Sequence, residues 1–327
     1  MSRTAAARAG DPAPDRPERH SVVLALVGPT AAGKSAIALA LAPRLRAEIV
    51  SLDSMQVYRG MDIGTAKPTP EERRRVPHHM IDLADPARPY SVAAFQAAAR
   101  AATDSVLLRG RVPLLVGGSG LYYRAVVDEL EFPPTDPRTR ATIERNDPGD
   151  LVARLRARDP DAASRIEPQN VRRVVRALEV MELTGRPFSE FRTAWDRYES
   201  RYDLVVAGIR VDPEILGERV ASRVDRMLDA GLVDEVRTLL DRGLRRALTA
   251  SRAIAYPEIV AHLGGATTLQ EARGHIVRNT RRFARRQMSW FRADPRIRWF
   301  DGTDTERAGE EIGAYYDREI ARRTVGA

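Results

Sequence analysis

One short segment of the chain has the composition of a phosphate-binding loop. It satisfies the pattern G-x-x-x-x-G-K-[ST], and its residues are Gly28, Pro29, Thr30, Ala31, Ala32, Gly33, Lys34 and Ser35. Glycines let successive backbone N–H groups converge on phosphate oxygens, and a helix start adds the positive end of a dipole. Lys34 supplies a compact charge between phosphates, and the Ser35 hydroxyl is suited to ligate Mg²⁺. The motif predicts a site for a diphosphate or a triphosphate and leaves open which; a chance glycine-rich turn is the alternative.

Apolar runs on either side of this loop predict the sheet that positions it. Residues 21–27 form a β-prone run that leads into the loop, and residues 36–45 have a helical pattern. Residues 48–52 and 112–116 are two further strand candidates, each ending in polar or glycine-rich residues. Strands that alternate with helices indicate an α/β fold with a parallel sheet, in which ligands gather at the carboxyl ends of strands.

The character of the sequence changes after about residue 130. Phe132-Pro133-Pro134 interrupts the pattern, and about seventy helix-prone, arginine-rich residues follow. A strand candidate at 202–209 then indicates a return to the sheet. We therefore predict a P-loop NTPase-like core, residues 21–130 and 202–327, with C-terminal helices and an inserted, mostly helical domain at 131–201. Residues 1–20, rich in Ala, Arg, Pro and Asp, are expected to form a disordered tail.

The composition bears on partners and compartment. The formal net charge of +8 favours a polyanionic partner, and Lys34 and Lys67 are the only lysines among 53 basic residues. Both lie in motifs where a planar guanidinium does not substitute for a compact ammonium.

With no cysteine, a disulfide framework and a thiolate metal site are excluded. No apolar run is long enough for a membrane span or a secretion signal, so we expect a cytoplasmic protein, and a monomer without an obligate protein partner.

Several further segments resemble one family, the tRNA dimethylallyltransferases, also called tRNA isopentenyltransferases. The matching residues are 53–58 (DSMQVY), 60–68 (GMDIGTAKP), 77–82 (PHHMID), 90–91 (YS), 116–122 (VGGSGLY), 176–179 (RALE) and 285–292 (RRQMSWFR). The resemblance implies that the loop holds dimethylallyl diphosphate with Mg²⁺. It further implies that the dimethylallyl group moves to N6 of the tRNA adenine 3′ of the anticodon, position 37, with release of diphosphate.

The resemblance also implies three catalytic side chains. Asp53 matches the general base, which would take the proton that the exocyclic amine loses as the C–N bond forms. An aspartate after a strand also commonly caps the next helix, and that alternative stays open. Ser119 stands where the family usually has threonine, and Arg223 matches a second diphosphate clamp. Arg223 taken alone is equally consistent with a solvated helix face.

The remaining candidates concern the tRNA. Asp53, Ser54, Met55 and Gln56 match the segment that the family uses at the target base, where an amide suits the edge of an unpaired base. Candidates for contacts with the anticodon stem-loop elsewhere in the chain are Arg172, Arg173, Arg176, Arg252, Arg285, Arg286 and Gln287. For the arginines of residues 170–183 a solvated amphipathic face is an equal alternative. The family often carries Gly-Tyr and a charged residue where this chain has Ala255-Tyr256-Pro257, which leaves the contacts of that loop open.

Two alternative functions and one alternative metal site remain to be considered. A P-loop small-molecule kinase would use the same loop for ATP and release ADP, and a non-catalytic P-loop RNA-binding or regulatory protein would need neither Asp53 nor a prenyl donor. Adjacent histidines such as His78 and His79 point to opposite sides of a strand, which argues against a shared metal.

Overall fold

A single parallel sheet organises the fold. The computed structural model describes residues 22–195 and 197–325, so the predicted tail lies outside the described residues. The six strands have the order β3-β2-β4-β1-β5-β6, and every pairing is parallel. They are β1 Val22–Val27, β2 Ala47–Ser51, β3 His78–His79, β4 Val112–Gly117, β5 Asp203–Arg210 and β6 Ile297–Asp301. The predicted α/β core with a parallel sheet is confirmed.

Thirteen α-helices are present in the described residues. They are α1 Lys34–Arg44, α2 Pro70–Arg75, α3 Val92–Leu108, α4 Gly120–Val127, α5 Pro137–Glu144, α6 Pro148–Arg158, α7 Pro160–Arg165, α8 Val171–Thr184, α9 Pro213–Asp229, α10 Leu232–Asp241, α11 Tyr256–Leu263, α12 Leu269–Arg292 and α13 Thr305–Val325. Short 3₁₀ helices span Phe188–Trp195, Leu244–Arg246 and Ala250–Arg252. Four helices, α5, α6, α7 and α9, begin with Asp-Pro, in which the aspartate accepts a backbone N–H and the proline occupies the first helical position.

The central strand β1 is buried on both faces, and its alternate residues enter two separate cores. Leu24 and Leu26 pack with residues of α1 and α13, whereas Val23 and Val27 pack with residues of α3, α4, α9 and α12. Helices cover both faces of the sheet, which accounts for the continuous apolar run of β1, whereas β2 also buries the polar side chains of Glu48 and Ser51. In the described part of the chain, no helix is long and apolar enough to cross a membrane.

Helices α5 to α8 pack on one another around a cluster of their own. Ile143, Leu151, Leu155, Val174 and Leu178 are buried in this cluster. The chain leaves the sheet after β4, on one side of β1, and rejoins it as β5 on the other side. The predicted boundaries at 131 and 201 fall in the two connections, and their status as domain limits stays a prediction.

Candidate active site

A cavity of about 710 Å³ opens at the carboxyl ends of β1, β2 and β4. Parallel sheets place ligands at this edge because the loops that follow the strands converge there. The predicted residues that line it are Thr30, Ala31, Ala32, Gly33, Lys34, Ser35, Asp53, Gln56, Arg223 and Gln287. The fold thus brings together the loop, the candidate base and the second candidate diphosphate clamp, which lie far apart in the chain.

The phosphate loop connects β1 to α1 through backbone angles that favour glycine. Gly28 has φ 143°, and a Cβ there would lie 2.6 Å from the carbonyl oxygen of Ile209. Gly33 has φ 91° and precedes the first residue of α1. Lys34 is buried, and its Nζ donates a hydrogen bond to the carbonyl oxygen of Pro29 at 2.6 Å. The lysine is therefore held inside the loop at the start of the helix.

The cavity carries a surplus of positive charge. Burial, reinforced by the neighbouring Arg223, lowers the pKa of Lys34 to about 7, and Asp53 opposes that shift. Burial also lowers the pKa of Arg223, again opposed by Asp53. Two cations that are costly to keep charged face one carboxylate, so a bound anion would stabilise both of them.

Asp53 lies two residues beyond β2, and its carboxylate orders the turn that follows. Oδ1 accepts a hydrogen bond from the backbone N–H of Met55 at 2.8 Å. Oδ2 has no hydrogen-bond partner within residues 22–195 and 197–325. Asp53 therefore orders a turn and does not cap a helix, because the next helix begins at Pro70, and the same carboxylate borders the cavity.

Two glutamine side chains brace the loops around the cavity. The Gln56 Oε1 accepts from the Ser51 hydroxyl at 2.8 Å, and its Nε2 donates to the carbonyl oxygens of Thr65 and Ala66 at 3.3 Å. The Gln287 Oε1 accepts from the backbone N–H of Thr30 at 2.8 Å, and the side chain is buried. Both amides are engaged within the protein, so base reading by Gln56 stays a prediction.

The other predicted residues lie outside the cavity lining. Ser119 precedes α4, and its carbonyl oxygen accepts from the N–H of Tyr123. Arg176 donates to the carbonyl oxygens of Pro133 and Pro134 and pairs with Glu179, so it joins α8 to the start of the helical segment. The remaining predicted contacts are in the turn after Asp53 or on exposed helical surface, namely Ser54, Met55, Arg172, Arg173, Arg252, Arg285 and Arg286. Their roles toward RNA stay predictions.

The structure adds cavity residues that the sequence reasoning missed. Ser222 and Arg226 of α9 and Phe283 of α12 line the cavity beside Arg223. Arg226 lies one turn from Arg223, and its charge contributes to the lowered pKa of Arg223. Helical spacing from Arg223 is the signal that could have found Arg226, and Ser222 lies one turn before Arg226 on the same helix.

The second lysine proves to be structural. Lys67 is buried, and its Nζ donates to the carbonyl oxygen of Tyr58 and to the carboxylates of Asp62 and Asp82 at 2.5–2.7 Å. The turn before it is held by Glu235, which accepts three backbone N–H groups, those of residues 62–64, at 2.6–3.1 Å. This lysine and this carboxylate fix the shape of the loop that covers one side of the cavity.

The two histidines of β3 face different partners. His78 lines the cavity, and its Nδ1 donates to the carbonyl oxygen of Val76 at 2.7 Å. His79 Nε2 lies 2.7 Å from a carboxylate oxygen of Glu48. The described residues contain no group of three His, Asp or Glu side chains arranged around a common metal position.

Comparison with known proteins identifies relatives over most of the chain. A model described as IPP transferase matches residues 56–294, and one described as isopentenyl transferase matches residues 21–83. A tRNA dimethylallyltransferase of Streptomyces coelicolor is 56% identical over 289 residues, 87% of this chain and 92% of the relative. A tRNA dimethylallyltransferase of Salinispora arenicola is 53% identical, covering 89% of this chain and 86% of the relative.

Solved structures agree with these sequence relatives. The tRNA isopentenylpyrophosphate transferase of Bacillus halodurans is 41% identical, with a TM-score of 0.69 over 93% of this chain and 98% of the other. A eukaryotic dimethylallyltransferase, whose structures were determined acting on tRNA, is 26% identical, with a TM-score of 0.76 over 93% of this chain and 77% of the other.

Proposed function

The chain belongs to the IPP transferase family, and from that premise we propose that it transfers a dimethylallyl group from dimethylallyl diphosphate to tRNA. The observation that carries this proposal is the convergence of Lys34, Arg223 and Asp53 on one cavity. The two cations suit a diphosphate, and the carboxylate suits an acceptor that must lose a proton. A P-loop kinase is not favoured, because the relatives over most of the chain are dimethylallyltransferases.

We further propose that the acceptor is N6 of adenine 37. In the reaction, the nitrogen lone pair forms a bond to C1 of the dimethylallyl group while the bond from C1 to the diphosphate oxygen breaks. The Oδ2 of Asp53 takes the proton that N6 loses, and the diphosphate leaves with the electron pair of the broken bond. Lys34, Arg223 and the loop N–H groups stabilise the negative charge that develops on the leaving group. Ser119 would contribute a hydroxyl from the start of α4.

Mg²⁺ is the proposed cofactor, and the side chains at the cavity fit it. The Ser35 hydroxyl lines the cavity beside Lys34 and is an oxygen ligand of the kind that Mg²⁺ prefers. Diphosphate oxygens and waters would complete its coordination, since Mg²⁺ commonly binds through substrate phosphates and retains water. When bound, the ion would supply further neutralisation of the leaving diphosphate.

The acceptor must reach Asp53 as an unpaired base, which an anticodon loop provides. We propose that the helical segment 131–201 contacts the anticodon arm through Arg172 and Arg173, which are exposed on α8. Activity on tRNA further suggests a cytoplasmic enzyme, which we propose to work as a monomer.

The direct test supplies purified protein with Mg²⁺, dimethylallyl diphosphate and an anticodon stem-loop that contains A37. Mass spectrometry of the digested RNA should show one dimethylallyl-adenosine per stem-loop, with an equal amount of diphosphate released. A stem-loop with guanosine at position 37 is the matched control. ADP formation from ATP, with no prenylated RNA, would instead identify a kinase.

A further inference from the structure

The segment from Arg242 to Arg292 carries the surplus positive charge of the molecule. It contains eleven arginines and two glutamates, a net charge of +9, against +8 for the whole chain. Its glutamates, Glu258 and Glu271, accept backbone N–H groups at helix starts. In the described part of the chain, Arg273 pairs with Asp225 and the other ten arginines have no carboxylate partner. Positive charge that the protein does not neutralise itself favours an external polyanion.

Part of this charge lies beside a second concavity, separate from the active-site cavity. It measures about 430 Å³ and is formed by Arg59 and by the loop between β3 and α3. The Arg59 guanidinium donates to the carbonyl oxygen of Leu83 at 3.2 Å, and Leu83 is 42% exposed. Arg88 is exposed, and the ring of Tyr90 forms another part of the wall. The concavity therefore offers two guanidinium groups next to an apolar side chain and an aromatic ring, together with one carboxylate, that of Asp85, which accepts the backbone N–H of Ala87.

The turn after α10 brings Arg242 next to Gly60, the neighbour of Arg59, and two more arginines follow on the adjoining 3₁₀ helix. The Arg242 guanidinium lies next to Gly60, 3.4 Å from the position that a Cβ there would take. Tyr58 joins the two loops, because its hydroxyl accepts from the backbone N–H of Tyr90 at 3.2 Å and hydrogen-bonds with the side chain of Thr249. Arg245 and Arg246 are exposed on the 3₁₀ helix that precedes Thr249.

A row of aromatic rings connects the concavity to the candidate base. The ring of Tyr90 meets that of Phe95 edge-on, with centroids 6.5 Å apart, and Phe95 meets Tyr122 at 4.7 Å. The Tyr122 hydroxyl hydrogen-bonds with the side chain of Ser54, the neighbour of Asp53. The concavity and the turn after β2 therefore lie within two ring contacts of each other, across the buried ring of Phe95.

We propose that this concavity and its rim bind the phosphate backbone of single-stranded RNA beside the target base. We call the surface the core basic patch and define it as Arg59, Arg88, Arg242, Arg245 and Arg246. Guanidinium groups recognise phosphate with paired hydrogen bonds, and an aromatic wall suits an unstacked base. The inference rests on the proposed function and adds to it an RNA contact on the core itself, outside the helical segment.

The test removes two arginines of the patch that make no side-chain bonds in the described structure, as Arg88→Ala/Arg246→Ala. Binding of an anticodon stem-loop is measured across a salt series. If both residues contact phosphate, the slope of log K against log salt becomes shallower by up to about 1.8, at roughly 0.7–0.9 per phosphate. Affinity at moderate salt falls by about tenfold or more. The kcat at saturating RNA stays within about twofold, since these residues take no part in the chemistry.

A matched control removes the same charge from the opposite edge of the sheet. Arg46 lies in the turn before β2 and Arg318 on α13, whose last turn pairs with Asp203 at the start of β5. Both are exposed, and within the described residues neither has a carboxylate partner. The Arg46→Ala/Arg318→Ala double variant should keep the wild-type slope.

The proposal is overturned if Arg88→Ala/Arg246→Ala and the control Arg46→Ala/Arg318→Ala bind the stem-loop with the same affinity and the same salt slope. This holds whether both variants bind as the wild type does or both bind more weakly. An Arg88→Lys/Arg246→Lys variant guards against misfolding, because it keeps the charges and should retain most of the slope. Failure of the proposed function has a different signature, since the wild-type protein would then bind the stem-loop without forming a prenylated product.

Discussion

At the scale of single residues, one substitution can separate the role that Asp53 has in the turn after β2 from the role of general base that we propose for it. Asp53→Asn keeps an oxygen that can accept the N–H of Met55, so the turn after β2 should survive. The amide cannot take a proton from the acceptor amine, so prenyl transfer should slow by about 10²-fold or more. Single-turnover kinetics with pre-bound donor measure the chemical step directly. Unchanged turnover at unchanged donor affinity would remove Asp53 from the proton transfer.

The lowered pKa of Lys34 predicts that the affinity for the diphosphate donor falls as the pH rises. Its pKa of about 7 lies below the ordinary value for lysine, so the free protein loses this charge as the pH rises above 7. A bound diphosphate favours the charged form, so binding above pH 7 requires proton uptake. The affinity should fall by up to about tenfold per pH unit until the pKa of the complex is reached.

Calorimetry in buffers of different ionisation enthalpy counts the protons that binding takes up. In Lys34→Arg the guanidinium stays charged, so proton uptake at pH 8 should disappear while the contribution of the ligand itself stays the same. Equal uptake by both proteins would show that Lys34 is already charged in the free cavity.

At the scale of elements, the start of α11 shows how one loop depends on its neighbours. Ala255 precedes the helix with φ 86°, a backbone conformation that favours glycine, at the position where the family often has glycine. Tyr256 follows and donates from its hydroxyl to Glu235 at 2.8 Å. Gly64 must lack a side chain, because a Cβ there would lie 2.6 Å from the ring of Tyr256. In this chain Tyr256 thus contacts Glu235 and Gly64, and the backbone at Ala255 is strained.

Ala255→Gly should therefore raise the free energy of unfolding by roughly 0.5–1 kcal/mol, because relief of strain exceeds the loss of a buried methyl group. Ala253→Gly is the matched control, since Ala253 is also buried but has φ −63°. It should lower the free energy by about 0.5–1 kcal/mol. Urea denaturation measures both changes, and destabilisation by Ala255→Gly equal to that of the control would contradict the strain.

The elements also show which parts of the fold sequence reasoning could reach. The sequence predicts β1, β2, β4 and β5 because each contains a short apolar, β-prone run next to polar or glycine-rich residues. β3 is two residues long, and β6 (IRWFD) is an edge strand with charged and exposed positions, so neither has that pattern. The phosphate loop follows from local spacing alone. Arg223 needed the family resemblance, and Phe283 was missed, because helical periodicity does not tell which face of α9 or α12 turns toward a cavity.

At the scale of the whole molecule, α12 extends from the cavity to the exposed surface of the basic segment 242–292. Gln287 is buried and accepts the N–H of Thr30 in the phosphate loop, whereas Arg285 and Arg286 are exposed on the same turn. Gln287 therefore points toward the phosphate loop, where we propose that the donor binds. Arg285 and Arg286 point toward solvent and belong to the basic segment 242–292. Changes on the two sides of one helical turn should consequently affect different substrates.

Arg285→Ala/Arg286→Ala should weaken binding of the anticodon stem-loop and make the salt slope shallower by up to about two units, because each lost phosphate contact removes about 0.7–0.9 from it. Donor affinity and the rate at saturating RNA should change little.

Gln287→Ala should lower the affinity for the donor and leave the salt slope unchanged. The reason is that the phosphate loop loses the buried hydrogen bond between the Thr30 N–H and the Gln287 side chain. Salt titrations and donor calorimetry on both variants provide the two readouts. A wild-type slope in the double variant would mean that Arg285 and Arg286 form an ordinary solvated face, and the electrostatic contact would then have to come from other arginines of the segment.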